Sequence, residues 1–152
     1  MPLAKALVQL GHEVRIIALH HNYSLLSVRQ YKDKGVDVRY VGQMHVKKPG
    51  NRKVYYRPLA LVAVTIMATL RLTWAALQSP SDAIHVCKTQ PMNGIAAWLV
   101  HAFRRIPVYL DSDDYEAVNN RFGADWQQRV VAWFEDWMPS FAAGITTNTT
   151  FI

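Results

Sequence analysis

Three times along this chain, a stretch with helical periodicity runs into a short apolar segment of strand length, with a glycine or proline at the join. Pro2 to Leu10 places Leu3, Ala6, Leu7 and Leu10 on one helical face, and Gly11 suits the left-handed position just past a helix end. Val14 to Leu19 then follows as a strand, apolar except for Arg15. Gly94 to Arg104 reads as a helix with Ile95, Trp98, Leu99, Ala102 and Phe103 on its apolar side, ahead of a strand from Pro107 to Leu110. Ala124 to Trp137 reads as a helix with Trp126, Val130, Trp133, Phe134 and Trp137 facing inward; Pro139 stops it and Ala143 to Thr147 forms a strand. Two more strands, Val36 to Val41 and Ala83 to Cys87, complete an alternation that predicts a parallel sheet covered on both faces. The expected class is α/β, a Rossmann-like doubly wound sheet. Such sheets bind ligands beyond the carboxyl ends of their strands. That rule selects His20-His21-Asn22, Lys88 to Asn93, Asp111 to Glu116, and Thr147 to Thr149.

The remaining segments carry less order. Asn22 to Lys34 reads as a loop with a short helix, and Gln43 to Arg57 as a loop. Leu59 to Leu77 is a long helix with Arg71 as its only charge, so it is expected to be largely covered. Its length approaches that of a membrane span, but Arg71 inside it costs roughly 2.5 to 3.5 kcal/mol on insertion scales. A buried or membrane-apposed helix is the preferred reading.

The chain has 152 residues, 51% of them apolar and 18% charged, which suits one globular domain over residues 1–152. Its single cysteine, Cys87, excludes an internal disulfide and fits a reducing, cytoplasmic compartment. The opening residues lack the pattern of a signal peptide. The net charge of +6 is unevenly spread: seven of the eleven acids lie beyond Pro107, whereas Val38 to Ser81 holds seven basic residues and no acid. Such a block either is a solvated loop or attracts phosphates and anionic lipid. Nucleic acid is not expected as a partner, since neither zinc-finger spacing nor an RNA-binding aromatic motif is present.

Chemistry concentrates in Asp111-Ser112-Asp113-Asp114-Tyr115-Glu116. Four carboxylates in six residues repel one another, which calls for protonation, a cation, or a separate hydrogen-bonded role for each. One such role is helix capping by Asp113 or Asp114 ahead of a helix that begins at Tyr115. An Asp-x-Asp at a strand end also suits phosphatases of the haloacid dehalogenase type, but no lysine follows it here to complete that site. The histidines suggest no metal site: His85 reads as a core residue, and the adjacent His20 and His21 would point to opposite faces of a strand. Neither a Gly-x-Gly-x-x-Gly nor a phosphate-binding P-loop is found.

Several segments, in order, resemble family 4 glycosyltransferases of the GT-B fold. LAKALVQLGHEVRIIAL is similar to the helix, Gly-His-Glu-Val turn and strand that follow the family's glycine loop. SDAIHVCKTQPMNGIAAWLV, RIPVYLDSDDYEAVNNRF and WFEDWMPSFAAGITTNT resemble its fourth strand, its fifth strand with acidic loop, and the helix and strand that close its amino-terminal domain. The resemblance implies transfer of a sugar from a nucleotide-sugar co-substrate, with no tightly bound cofactor, to a sugar, polysaccharide or lipid-linked acceptor held by this domain. It also implies that the first strand with its glycine loop, and the donor-binding carboxyl-terminal domain, lie outside this chain, leaving a fragment inactive alone. Asp111 falls where many family members place a catalytic or acceptor-orienting side chain, often histidine. Asp113, Asp114, Glu116, Lys88 and Asn93 then become acceptor-binding candidates, while Glu135 is expected to be structural. Acceptors at membranes would suit peripheral attachment to the inner membrane face through residues 38–81. The competing reading is a stand-alone Rossmann-like binding module without catalysis.

Overall fold

The computed structural model describes residues 2–50, 52–113, 115–119 and 124–147. They form two compact units, 1–75 and 76–152.

In the first unit, helix α1 (Pro2–Gln9) ends at Gly11, whose φ of +91° is the left-handed stop expected for it. Strand β1 (Arg15–His20) follows. A hairpin of β2 (Gln30–Asp33) and β3 (Val36–Gln43) completes a sheet in the order β1-β3-β2, with β1 and β3 parallel and β2 antiparallel. The expected loop and short helix therefore contain a strand as well. Its residues, Gln-Tyr-Lys-Asp, lack an apolar alternation because β2 is almost wholly exposed. Lys34 and Gly35 close the hairpin, both at positive φ (49° and 87°), in a two-residue turn suited to the twist of the strands. Gly35 is doubly constrained: a Cβ there would also lie 2.7 Å from Val8 Cγ1 of α1.

The alternation in β3 buries Val36 and Val38 and then shifts phase to bury Val41. The cause is a bulge. Ala18 pairs with Tyr40 but Leu19 pairs with Gly42, leaving Val41 as the extra residue. The basic loop that follows carries a two-stranded ribbon, β4 (Val46–Lys47) with β5 (Val54–Tyr55).

Helix α2 (Pro58–Leu77) has the expected extent, but it is not largely covered. Its buried residues are Ala68, Thr69, Leu72, Thr73 and Ala75, near its carboxyl end, whereas Leu59, Val62, Ile66, Met67, Leu70 and Trp74 are exposed. Apolar residues surround this helix almost uniformly, so composition could not say which of them find a neighbour. By length and composition α2 is the one helix among the described residues able to cross a membrane.

The second unit is a three-stranded parallel sheet in the order β6-β7-β8: β6 (Ile84–Cys87), β7 (Val108–Asp111) and β8 (Gly144–Thr146). Helix α3 (Pro91–Arg104) connects the first two strands; α4 (Glu116–Asn119) and α5 (Asp125–Trp137) lie between the second and third. Val86, Ala97, Val108, Leu110 and Met138 form the core, with Phe134 and Trp137 packed against it. The expected apolar faces need correcting. In α3 the buried residues are Met92, Gly94, Ala96, Ala97 and Val100, while Trp98 and Phe103 are exposed. Small residues face the core because the helix lies close: a Cβ on Gly94 would collide with the Met138 side chain. In α5, Trp126, Val130 and Trp133 are exposed and the buried residue is Glu135. His85, expected in the core, is also exposed, with Nδ1 3.5 Å from Cys87 Sγ.

Candidate functional site

Parallel pairing brings three strand ends of the second unit into one row: Cys87 of β6 is in register with Asp111 of β7, which is in register with Thr146 of β8. Asp111, placed by the sequence in the loop, is thus the last strand residue. Its Oδ1 accepts a hydrogen bond from Thr146 Oγ1 at 3.1 Å. The Ser112 amide donates to the Thr146 carbonyl at 2.9 Å, anchoring the start of the acidic loop. This leaves Asp111 Oδ2 with no described partner, half-buried at the mouth of the sheet. A carboxylate held this way can accept a proton or orient a hydroxyl.

The neighbouring loop is equally constrained. Lys88 adopts a left-handed φ of 71°, its amide donates to the Asp111 carbonyl at 3.2 Å, and Asn93 Nδ2 donates to the carbonyls of Cys87 and Lys88 at 3.3 Å each. Asn93 therefore shapes the loop with the amide group that was expected to meet an acceptor. Lys88 Nζ reaches Glu116 Oε1 at 2.7 Å, an ion pair with an exposed lysine and a buried carboxylate.

Below this pair lies Glu135. Its Oε1 accepts from the Glu116 amide at 2.6 Å and from Thr89 Oγ1 at 3.1 Å, and its Oε2 accepts from the Ala117 amide at 2.9 Å. The first amides of α4 are thus satisfied by a carboxylate from α5, distant in sequence. The helix begins at Glu116 and not at Tyr115, and its first two amides are held by Glu135 rather than by Asp113; the expected capping by Asp114 falls outside the described residues. A carboxylate is favourable at that end of a helix because the orphan N–H groups and the helix dipole are positive there. Asp113 is exposed, and Asp114 lies outside the described residues. Tyr115 O–H donates to Asp136 Oδ1 at 3.4 Å; burial, then the Asp136 and Glu135 charges, push its phenol above the ordinary value of 10.0. Burial, followed by the charge of Asp111, likewise raises the Cys87 thiol, which keeps it protonated and a poor nucleophile.

The structure therefore brings Asp111, Lys88, Glu116 and Asn93 to the adjoining ends of β6 and β7, with Asp113 at the exposed turn. Thr89 and Thr146 escaped the sequence reading. A hydroxyl residue at a strand end was the available signal for Thr146, whereas nothing in the sequence pairs Thr89 with Glu135.

The first unit has its own strand-end loop. Asn22 clips the basic segment through two bonds, Nδ2 to the Lys48 carbonyl at 2.7 Å and Oδ1 from the Lys48 amide at 3.1 Å. Gln43 takes the Tyr23 amide on Oε1 and donates through Nε2 to the carbonyls of His21, Met44 and Val46. His21 lies just past β1, so the alternation of strand faces does not separate it from His20; the rings stack with centroids 4.2 Å apart. Burial, then the neighbouring His20 and Lys48, hold His21 below the ordinary histidine value. No group of three His, Cys, Asp or Glu side chains able to hold a metal ion occurs among the described residues.

A mixed α/β chain with a helix-flanked parallel sheet is consistent with a Rossmann-like domain. The family is more specific. The glycosyl transferase 4-like domain matches residues 1–152, and the chain belongs to that family, whose function is of the glycosyltransferase type. No curated protein matches the chain.

Proposed function

We propose that this chain is the acceptor side of a glycosyltransferase that moves a hexosyl group from a nucleotide-sugar to a sugar, polysaccharide or lipid-linked acceptor. The observation that carries this reading is the Asp111 carboxylate, fixed by Thr146 at a strand end with its second oxygen without a described partner. Such a group can take the proton from an acceptor hydroxyl as that oxygen attacks the sugar carbon and the nucleotide departs. Asp113, exposed just past the strand, and Asp114, next in sequence, would bind further acceptor hydroxyls. Glu116 and Lys88 form an ion pair beside Asp111, and Lys88 remains exposed enough to approach a phosphate.

In this reading the donor is bound by a further domain, and the chain alone turns over no nucleotide-sugar. A further parallel strand is also part of it. Peripheral attachment to an anionic membrane is supported by the acid-free segment 38–81 and the exposed apolar residues of α2.

The test is nucleotide-sugar turnover by this chain alone and by the chain joined to its flanking coding sequence. The longer protein should turn over the donor, and Asp111→Ala should slow it by about 100-fold, the usual scale for loss of a general base. Unchanged turnover in Asp111→Ala would remove the aspartate from the mechanism.

A further inference from the structure

Arg71, the single charge of α2, has a specific seat. Its stem crosses β3 at Gly42, where a Cβ would lie 3.4 Å from Arg71 Cδ. Its guanidinium carbon stands 5.8 Å from the centroid of the Tyr23 ring, and that of Arg29 stands over the same ring at 4.5 Å. Both arginines line an open groove of about 510 Å³ in the first unit, together with Arg39, Tyr40, Leu70 and Trp74. Among the described residues, no carboxylate lines this groove. Asp37, two residues before Arg39 on β3, is engaged by Arg15 at 3.0 Å and by Gln30 at 3.3 Å.

Three guanidinium groups gathered without a described counter-charge repel one another, and a bound anion relieves that repulsion. Aromatic stacking restricts the guanidinium orientations, so less freedom is lost when they bind a ligand. Guanidinium forks match the oxygens of a phosphate group, to which they can donate in pairs. The groove is larger than a phosphate ion needs and lies in the size range of small-molecule sites. Trp74 and Leu70, 65% and 56% exposed, supply an apolar rim. We infer that this groove binds a phosphate ester, with the phosphate on Arg29, Arg39 and Arg71 and an apolar or ring-shaped group against Trp74 and Leu70. The phosphate can belong to a soluble ester or to a lipid headgroup. The groove is built from residues of the first unit and uses no atom of Asp111, so its failure would leave the transferase reading untouched.

The experiment is calorimetric titration of the 152-residue chain with phenyl phosphate and with phenol, beside co-sedimentation with phosphatidylglycerol and phosphatidylcholine vesicles. Phenyl phosphate should bind and phenol should not. Arg71→Gln should weaken binding about tenfold, as expected for loss of a charge-assisted contact, and the Arg29, Arg39 and Arg71 triple variant should abolish it. Arg52→Gln with Lys53→Gln, changes outside the groove, should stay within about twofold, since distant exposed charges are largely screened. Arg71→Lys should fall between wild type and Arg71→Gln; it keeps the charge and is read instead if circular dichroism shows the glutamine variant unfolded. Arg71-dependent sedimentation with phosphatidylglycerol alone assigns the phosphate to a lipid headgroup, and binding of phenyl phosphate alone assigns it to a soluble ester. The inference is overturned if neither probe binds, if binding ignores the three arginines, or if Arg52 and Lys53 matter as much.

Discussion

The two units place opposite charges around their candidate sites. In the first, arginines line a groove with no carboxylate among the described residues, and the loop after β1 brings two histidines near Lys48. In the second, Asp111, Glu116 and Glu135 surround the strand ends, with Lys88 paired to Glu116. The difference lies in how each unit treats its charge. The first leaves its three groove arginines without a described counter-charge, whereas the second absorbs most of its carboxylates internally. Glu135 holds a helix start, Glu116 holds Lys88, and Asp111 keeps one oxygen with no described partner. Charge satisfied within the fold builds a wall, and charge left over is available to a ligand.

The contrast makes Glu135 the most sensitive point of the second unit. Glu135→Ala removes the acceptor from two backbone amides and a threonine hydroxyl, and should lower unfolding stability by about 3 kcal/mol in urea denaturation. Glu135→Gln, which keeps an acceptor oxygen, should lose less. Wild-type stability in Glu135→Gln would mean that Glu135 acts by filling space with any acceptor rather than through its charge, and the contrast between the units would weaken.

A smaller effect is expected in the first unit, where the hairpin depends on backbone conformation more than on charge. Gly35→Ala forces a side chain into positive φ and against Val8. It should cost about 1 to 2 kcal/mol by thermal denaturation. A neutral result would show that the hairpin and α1 can separate without loss.

The smallest effect concerns pH. His21 is held below 6.5, so at pH values under 6.5 the unfolded chain binds more protons at this position than the folded one. Stability from this group is therefore complete above pH 6.5 and declines as pH falls toward the folded value. His21→Asn should flatten the pH dependence of stability on the acid side of 6.5. An unaltered slope would place the acid sensitivity elsewhere, and the clustering of positive charge near Lys48 would lose its energetic meaning.

Much of the strand order was legible from the chain. β1, β6, β7 and β8 are short, largely apolar runs that follow residues that stop helices, β3 is an alternating β-branched run, and Gly11 takes the left-handed conformation expected of it. β2 was hidden because an exposed strand gains nothing from apolar alternation; its trace was the Lys34-Gly35 turn. The candidate site was legible as a location, since parallel strand ends set it, but the division of labour among its acids was not. Glu116 and Asp111 look alike in a run of carboxylates. They differ only because Lys88 meets one, and Thr146 the other.

The sequence by itself determined the main helices and the apolar or alternating strands, the acid-free segment and the acidic strand end, because these follow from local periodicity and composition. Tertiary structure alone decided which helix faces are covered, which carboxylate caps α4, and that Arg29, Arg39 and Arg71 share a groove. Those outcomes depend on pairings between residues as many as 46 positions apart, as for Thr89 and Glu135, and local pattern carries no information about such partners.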